Sequence, residues 1–420
     1  MRKFIVTEKL IGKIIINNKY EFDNVKGEYQ YDIYSNSYFK GSVKINNFLS
    51  SIKSIQEIDK FEFNGNGLTI FGQVTKIKFG ETEIIDFSID ELIQWIKYSN
   101  ELPTMVHINY YIPYISALSR SLKYHYPDDN HILNFSSEEF KINVHGLSII
   151  FFEKINVIEY KEPDKILNRL LFPQIKIVLC KNDEIIDKLN FCEILFHETM
   201  RILSLLLFKR LYSFGYKADI LGENNRLIQK FIYKSTKKQS TQDYLLENGH
   251  NFNKFFNTDN ISKIIESLLH LEKTKKEKYI RVLNAYLTIG ELKIFEPQFK
   301  DAYFALEAIS KLIVKPSGKI SSENLISEAC NQAEIDIFKI TFKSATKSKK
   351  LKWLISEYRN ELTHFNFETH FEMNDLVKEF SKIMKLLRML IIYYLVPQLK
   401  DFPYPKDNYK FLMNYLFSQK

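Results

Sequence analysis

Along residues 1 to about 185, apolar positions come in short runs rather than at helical spacing. Lys13–Ile16, Tyr38–Ile45, Gly67–Phe71 and Lys76–Phe79 are rich in Ile, Val, Phe, Tyr and Thr, the residue types that suit a pleated, half-buried surface. Turn material separates them: Asn17-Asn18, Asn24, the run Asn64-Gly65-Asn66-Gly67, and Gly80. Glycine and asparagine tolerate the left-handed backbone that tight turns need. Further strands are expected at Glu139–Val144, Leu147–Glu153, Ile155–Tyr160 and Ile175–Cys180. One stretch here, Asp90–Ser99 (DELIQWIKYS), has the look of a helix starting on an Asp cap. The pattern predicts a β-rich domain over 1–186, sandwich- or barrel-like.

The spacing changes near residue 187. From Asp187 to about Tyr212, Leu189, Cys192, Leu195, Phe196, Thr199, Ile202, Leu203, Leu206 and Leu207 fall on one broad helical face. Beyond residue 240 nearly every segment has helical periodicity, and helices are expected near 259–272, 276–294, 298–314, 322–335, 347–361, 374–396 and 407–418. Pro297 and Pro316 sit where helices start or stop, and Ser321-Ser322-Glu323 reads as a capped start. The expected organisation is α+β: a β-rich regulatory part (1–186), a helical connector (187–240) and an all-α bundle (241–420).

Composition narrows the function classes. A chain of 420 residues exceeds one ordinary core. Its net charge of +8 is compatible with a polyanionic partner. Cys180, Cys192 and Cys330 are odd in number, far apart and without CxxC spacing, so neither a disulfide framework nor a zinc site is indicated; a reducing cytoplasm fits. The N-terminus lacks the uninterrupted apolar stretch of a signal peptide. The longest apolar runs, such as Leu386–Val396 (LLRMLIIYYLV), fall short of a membrane span of ~20 residues, so no membrane partner is expected. No P-loop, GxSxG, HExxH, calcium-loop or dinucleotide glycine pattern occurs. Asp128-Asp129-Asn130-His131 has metal-ligand residue types but no matching partners and reads as a polar loop. Neither a metal nor another cofactor is expected.

The segment Glu357-Tyr358-Arg359-Asn360-Glu361-Leu362-Thr363-His364-Phe365 carries the chemistry. Four residues separate Arg359 from His364, with polar Asn360 directly after the arginine. They end an amphipathic helix whose inward face takes Trp353 and Leu354, and a long apolar helix follows from Asn374 to Val396. A second Arg–x4–His pair, Arg120 and His125, lies between Pro113 and Pro127 in the β-rich half without a bundle around it. Upstream, Gln298-Phe-Lys-Asp-Ala-Tyr-Phe-Ala-Leu-Glu307-Ala-Ile opens the bundle with an acidic residue.

Motif and helix order together, over about 110 residues, resemble the HEPN superfamily. That resemblance implies a ribonuclease without a metal, working as a homodimer with two Arg–His motifs facing one cleft. It also implies products ending in a 2′,3′-cyclic phosphate and a 5′-hydroxyl. The residue types suit this chemistry. Histidine titrates near neutrality and serves as general base or acid. Arginine stays charged and presents a planar fork to phosphate oxygens. Asn360 orients the histidine or holds a phosphate oxygen, and Glu307 is a candidate for organising the site. Positions five apart on a straight helix point about 140° away from each other, so the motif must straddle a helix end or act across two chains. Lys347, Lys349, Lys350 and Lys352 lead into the motif as candidates for tracking an RNA backbone. Lys273–Lys278 and Lys234–Lys238 read equally as RNA contacts or solvated loops.

The whole arrangement is similar to the ApeA-type proteins of bacterial antiviral defence. The likeness implies a latent nuclease whose N-terminal domain senses a phage protein, after which host tRNA or another RNA is cut in abortive infection. Two other readings compete. One is an inactive HEPN module that binds RNA or a protein partner; the other is a helical interaction protein in which the Arg–His spacing is coincidence.

Overall fold

A computed structural model of the chain describes residues 5–32, 39–45, 60–79, 82–112, 124–125, 136–137, 140–157, 167–178, 184–207, 210–213, 215–235, 258–291, 295–335 and 373–399. The chain divides into two compact units, the first built from Met1–His197 and Leu211–Thr241, the second from Glu198–Arg210 and Gln242–Lys420.

The first unit begins with a closed barrel. Strands β1 (Ile5–Ile16), β2 (Tyr20–Asp32) and β3 (Phe39–Ile45) form one antiparallel meander, and β4 (Lys60–Gly65), β5 (Leu68–Lys78) and β6 (Glu83–Lys97) form another. β1 pairs with β4 and β3 pairs with β6, so the six strands close with no free edge. Asn66 and Gly67, both at positive φ, make the two-residue turn between β4 and β5, the geometry that matches the right-handed strand twist. Leu10, Ile14, Tyr29, Val43, Phe61, Phe63, Ile70, Ile85 and Phe87 fill the interior. Phe61 and Phe87 stack there at 3.9 Å between ring centroids.

β6 links this barrel to a second sheet. Its first half pairs with β3 through Glu83–Ser88, and its second half pairs with β14 (Leu227–Ser235) through Glu91–Lys97. Next in order come β13 (Gly215–Leu221), β7 (Met105–Tyr111), β12 (Leu167–Val178) and β11 (Leu147–Val157). β10 (Phe140–Val144) and the two-residue strands β8 (Tyr124–His125) and β9 (Ser136–Ser137) complete it. Helix α1 (Ile185–Leu207) places Phe196 against Tyr110 of β7, with ring centroids 3.6 Å apart.

Two expectations are corrected here. In Asp90–Ser99 the residues Asp90–Lys97 are strand, not helix. Opposite Phe71 and Gly72 stand Glu91 and Ile89, so Asp90 is an extra residue, a β-bulge. The bulge shifts the inward face by one position: Ile85, Phe87 and Ile89 are buried before it, Leu92 and Gln94 after it. Ile89, Leu92, Ile93 and Ile96 consequently fall at i, i+3, i+4 and i+7, the signature of a helix. Among the described residues of 187–240 the α-helix ends at Leu207, and β13 and β14 are interior strands of the sheet. These 7- and 9-residue strands follow a long helix closely, so the change of periodicity is easily missed.

Gly72, opposite the bulge, shows how tightly the barrel closes. A Cβ there would lie 1.9 Å from the Ser88 carbonyl oxygen, which is backbone and cannot turn away. Gly72→Ala is therefore expected to destabilise by about 2–3 kcal/mol, read as a lower urea midpoint.

A histidine in the sheet links stability to pH. His107 in β7 stands opposite Lys176 of β12 and Asp219 of β13. Burial, with Lys176 adding to it, lowers its pKa below 6.5, while Asp219 acts in the opposite direction. Below pH 6.5 the unfolded chain then binds a proton that the folded chain resists, so stability falls on acidification through that window. Urea midpoints at pH 7 and pH 5 are expected to differ less in His107→Gln than in the wild type.

The second unit is helical. Among the described residues it contains the end of α1 with α2 (Thr258–His270), α3 (Lys273–Glu291), α4 (Phe295–Val314), α5 (Ser322–Gln332) and α6 (Met373–Leu395). Apolar residues at helical spacing drive this packing: α2 buries Ile261, Ile264, Ile265 and Leu268, and α4 buries Phe299, Ala302, Leu306 and Ile309. α4 is central, packing against α3, α5 and α6. Ser321 caps α5 by accepting from the Asn324 amide, as its sequence suggests. The α1 segment within this unit buries Glu198, Thr199, Met200, Ile202, Leu203, Ser204, Leu205 and Leu206, and a helix apolar nearly all round belongs in a core. Starting the helical bundle at residue 241 therefore omits one of its core elements.

Candidate functional site

In sequence, the Arg–His segment falls between α5 and α6, both of which pack on α4. The chain leaves α5 at Gln332 and enters α6 at Met373. Phe380 of α6 lies 5.5 Å from Phe295 and 6.3 Å from Phe299 of α4 between ring centroids. The Tyr393 hydroxyl of α6 donates to the Gln332 carbonyl at 2.8 Å, tying α6 to the end of α5. Leu325, Ile326, Ala329 and Cys330 of α5 and Ile383, Leu387, Leu390 and Ile391 of α6 are buried, so both flanks of the motif are anchored by core residues.

Arg359, Asn360 and His364 lie outside the described residues, as do Lys347, Lys349, Lys350 and Lys352, together with Trp353, Leu354 and Tyr358. Glu307 is described. It sits on α4 with its side chain 18 % exposed, and Lys311 one turn later donates to it at 2.8 Å. That i, i+4 pair satisfies the carboxylate locally. Tyr303, one turn before it, is core. Of the competing pair, Arg120 lies outside the described residues, while His125 belongs to β8 opposite Ser136. Asp128–His131 also lies outside them.

Two of the lysine clusters change character. Lys273–Lys278 is the first part of α3, not a loop. Within it Lys275 pairs with Glu272, and Lys276 pairs with Glu198 at 2.8 Å. Lys234 is a buried residue of β14; Lys237 and Lys238 lie outside the described residues. Lys273, Lys275 and Lys278 stay exposed on α3, while Lys276 and Lys234 are drawn into the structure.

Buried charges outside the motif are the part that pattern reading missed. Glu198 is only 4 % exposed. Arg201 reaches both its oxygens at 2.8 Å through one guanidinium nitrogen, and Lys276 reaches one at the same distance. Two cations around one buried carboxylate make a structural ion network between the α1 segment and α3 within this unit. Arg388 on α6 is 1 % exposed. Its signal was in the sequence, as a lone cation inside the apolar run LLRMLII.

The buried thiols offer no nucleophile. Burial pushes Cys192 and Cys330 each up to about 12, which keeps them as inert thiols. Among the described residues no three His, Cys, Asp or Glu side chains converge on a metal-sized space, and no helix is long and apolar enough to cross a membrane. Compared with known proteins, the chain matches no family model, no curated protein and no solved structure.

Proposed function

We propose that the helical unit is a HEPN-type endoribonuclease, cutting RNA by attack of the ribose 2′-hydroxyl with Arg359 and His364. The observation that carries this reading is the Arg359-Asn360-x3-His364 motif in its setting, between one helix that packs on α4 and a long apolar helix that packs on the same α4. His364 moves the proton, taking it from the 2′-hydroxyl or giving it to the leaving 5′-oxygen. Arg359 offsets the charge growing on the phosphorane. Asn360 orients one of them, and Lys347, Lys349, Lys350 and Lys352 attract the backbone. The pairing with Lys311 suits Glu307 to a role at the margin of the site rather than in proton transfer.

Two copies supply the motif pair in this reading, and the protein acts in the cytoplasm during abortive infection. The first unit is the sensor of a phage protein. A ribonuclease of this kind has to be held inactive until its trigger favours the active state. Helix α1 suits such a device, because one unbroken helix contributes residues to both units.

The test is cleavage of total RNA in EDTA by wild type and by the Arg359→Ala/His364→Ala double variant, each with and without extract of phage-infected cells. Cleavage that survives the chelator and disappears in the variant is the expected result. Equal cleavage by both proteins, or loss in EDTA, moves the chemistry to another residue set, with His125 the next to test. No cleavage in either condition favours the RNA- or protein-binding module over the enzyme.

A further inference from the structure

α3 and α4 leave an open groove of about 560 Å³ between them. α3 ends at Glu291 and α4 begins at Phe295, so the two helices run antiparallel. The groove spans Lys278 to Thr288 on α3, which at 1.5 Å per residue is roughly 15 Å, or three helical turns. Small side chains, Ala285, Ala305 and Ala308, form much of its floor. Such a floor lets a third helix approach to the ordinary interaxial distance of about 8–10 Å.

Its charge is one-sided. Lys278 and Arg281 from α3 and Lys311 from α4 line it, against a single acid, Asp301. Lys311 is turned to Glu307, whereas Lys278 and Arg281 make no ion pair among the described residues. Beside them Phe304 is 38 % exposed, one of two large apolar side chains so exposed among the described residues of this unit. The Lys300 ammonium lies 5.9 Å from its ring centroid.

We propose that this groove docks an acidic amphipathic helix of a partner protein. The helix's apolar stripe lies on Ala285 and Ala308 beside Phe304, and its carboxylates face Lys278 and Arg281. A second copy of this chain fits poorly: a two-fold pairing would bring the same cations face to face, on a chain already carrying +8. Single-stranded RNA also fits poorly, since it needs successive stacking rings along a polar track, and the groove offers one ring on an aliphatic floor.

The test measures fluorescence anisotropy of three labelled probes against the full-length protein: a Leu/Glu amphipathic peptide of about 14 residues, its Leu/Lys counterpart, and a single-stranded RNA of about 12 nucleotides. The Leu/Glu peptide is expected to bind and the Leu/Lys peptide to fail. Lys278→Glu/Arg281→Glu, which alters only exposed side chains, should weaken the first by about tenfold or more and admit the second. Ala308→Trp should also weaken the Leu/Glu peptide, by filling the floor. Failure of the Leu/Glu peptide to bind, or binding that neither variant changes, overturns the proposal. RNA binding lost in the charge-reversed variant while the peptide stays unbound assigns the groove to nucleic acid. A change of oligomeric state in that variant, without peptide binding, assigns it to a second copy.

Discussion

His364→Ala is expected to slow RNA cleavage by about 10²- to 10⁴-fold, the usual loss when a positioned general acid or base is removed. The fold should survive it, because the flanking helices are anchored by their own buried residues, Leu325, Ile326, Leu387 and Ile391 among them. Single-turnover rates with RNA bound separate the chemical step from binding. A histidine that merely caps a helix C-terminus would cost at most about 1–2 kcal/mol of stability and leave the rate alone. Arg359→Lys is the informative companion. It keeps the charge and loses the planar fork, so a large loss of rate with little loss of RNA affinity would mark Arg359 as a contact made in the transition state.

Phe87→Ala is expected to cost about 3–5 kcal/mol, the range for removing a large aromatic from a packed core. The ring is 1 % exposed, stacks on Phe61 at 3.9 Å, and belongs to the half of β6 that closes the barrel against β3. Gly41 of β3 exists in relation to it: a Cβ on Gly41 would lie 2.3 Å from the tip of the Phe87 ring. The two positions should therefore couple, with Gly41→Ala less costly in a Phe87→Leu background than alone. A small strain remains even then, since the Glu28 carbonyl oxygen would also lie 2.8 Å from the new Cβ. Urea midpoints of the four proteins give the coupling directly.

Much of the architecture could be read from periodicity. Helices expected at 259–272, 276–294, 298–314, 322–335 and 374–396 correspond to α2, α3, α4, α5 and α6. Strands expected at Lys13–Ile16, Tyr38–Ile45, Gly67–Phe71, Glu139–Val144 and Ile175–Cys180 overlap β1, β3, β5, β10 and β12. Those at Leu147–Glu153 and Ile155–Tyr160 overlap the single β11, and β2, β4 and β7 were not expected. The failures have physical causes. At Asp90 a β-bulge turned strand alternation into helical spacing. Near residue 187 the boundary was placed by a change of period, whereas compactness divides the chain within α1, between His197 and Glu198. Periodicity reports which face of an element is buried, not which core it is buried in, so a helix shared between two cores reads as one.

The candidate site was legible only in its residue types. Arg359 and His364 announce themselves through the chemistry they can do, and Glu307 through its place on an early helix of the bundle. Spacing could suggest the i, i+4 pair of Glu307 with Lys311, but not which face of the bundle the pair occupies. Nor could it show that Lys276, one of a run of exposed-looking lysines, reaches the buried Glu198. Pairing across tertiary space leaves no periodic trace in the sequence. The groove between α3 and α4 was invisible for the same reason, since its floor of alanines reads as ordinary helix interior.

The most direct measurement is the chemistry of the RNA ends made by the wild-type protein, with the Arg359→Ala/His364→Ala variant as control. Attack by the ribose 2′-hydroxyl requires a 2′,3′-cyclic phosphate on one fragment and a 5′-hydroxyl on the other, both absent with the variant. A 5′-phosphate with a free 3′-hydroxyl, or the same ends from the variant, would contradict the assignment of Arg359 and His364 as the groups that cut RNA.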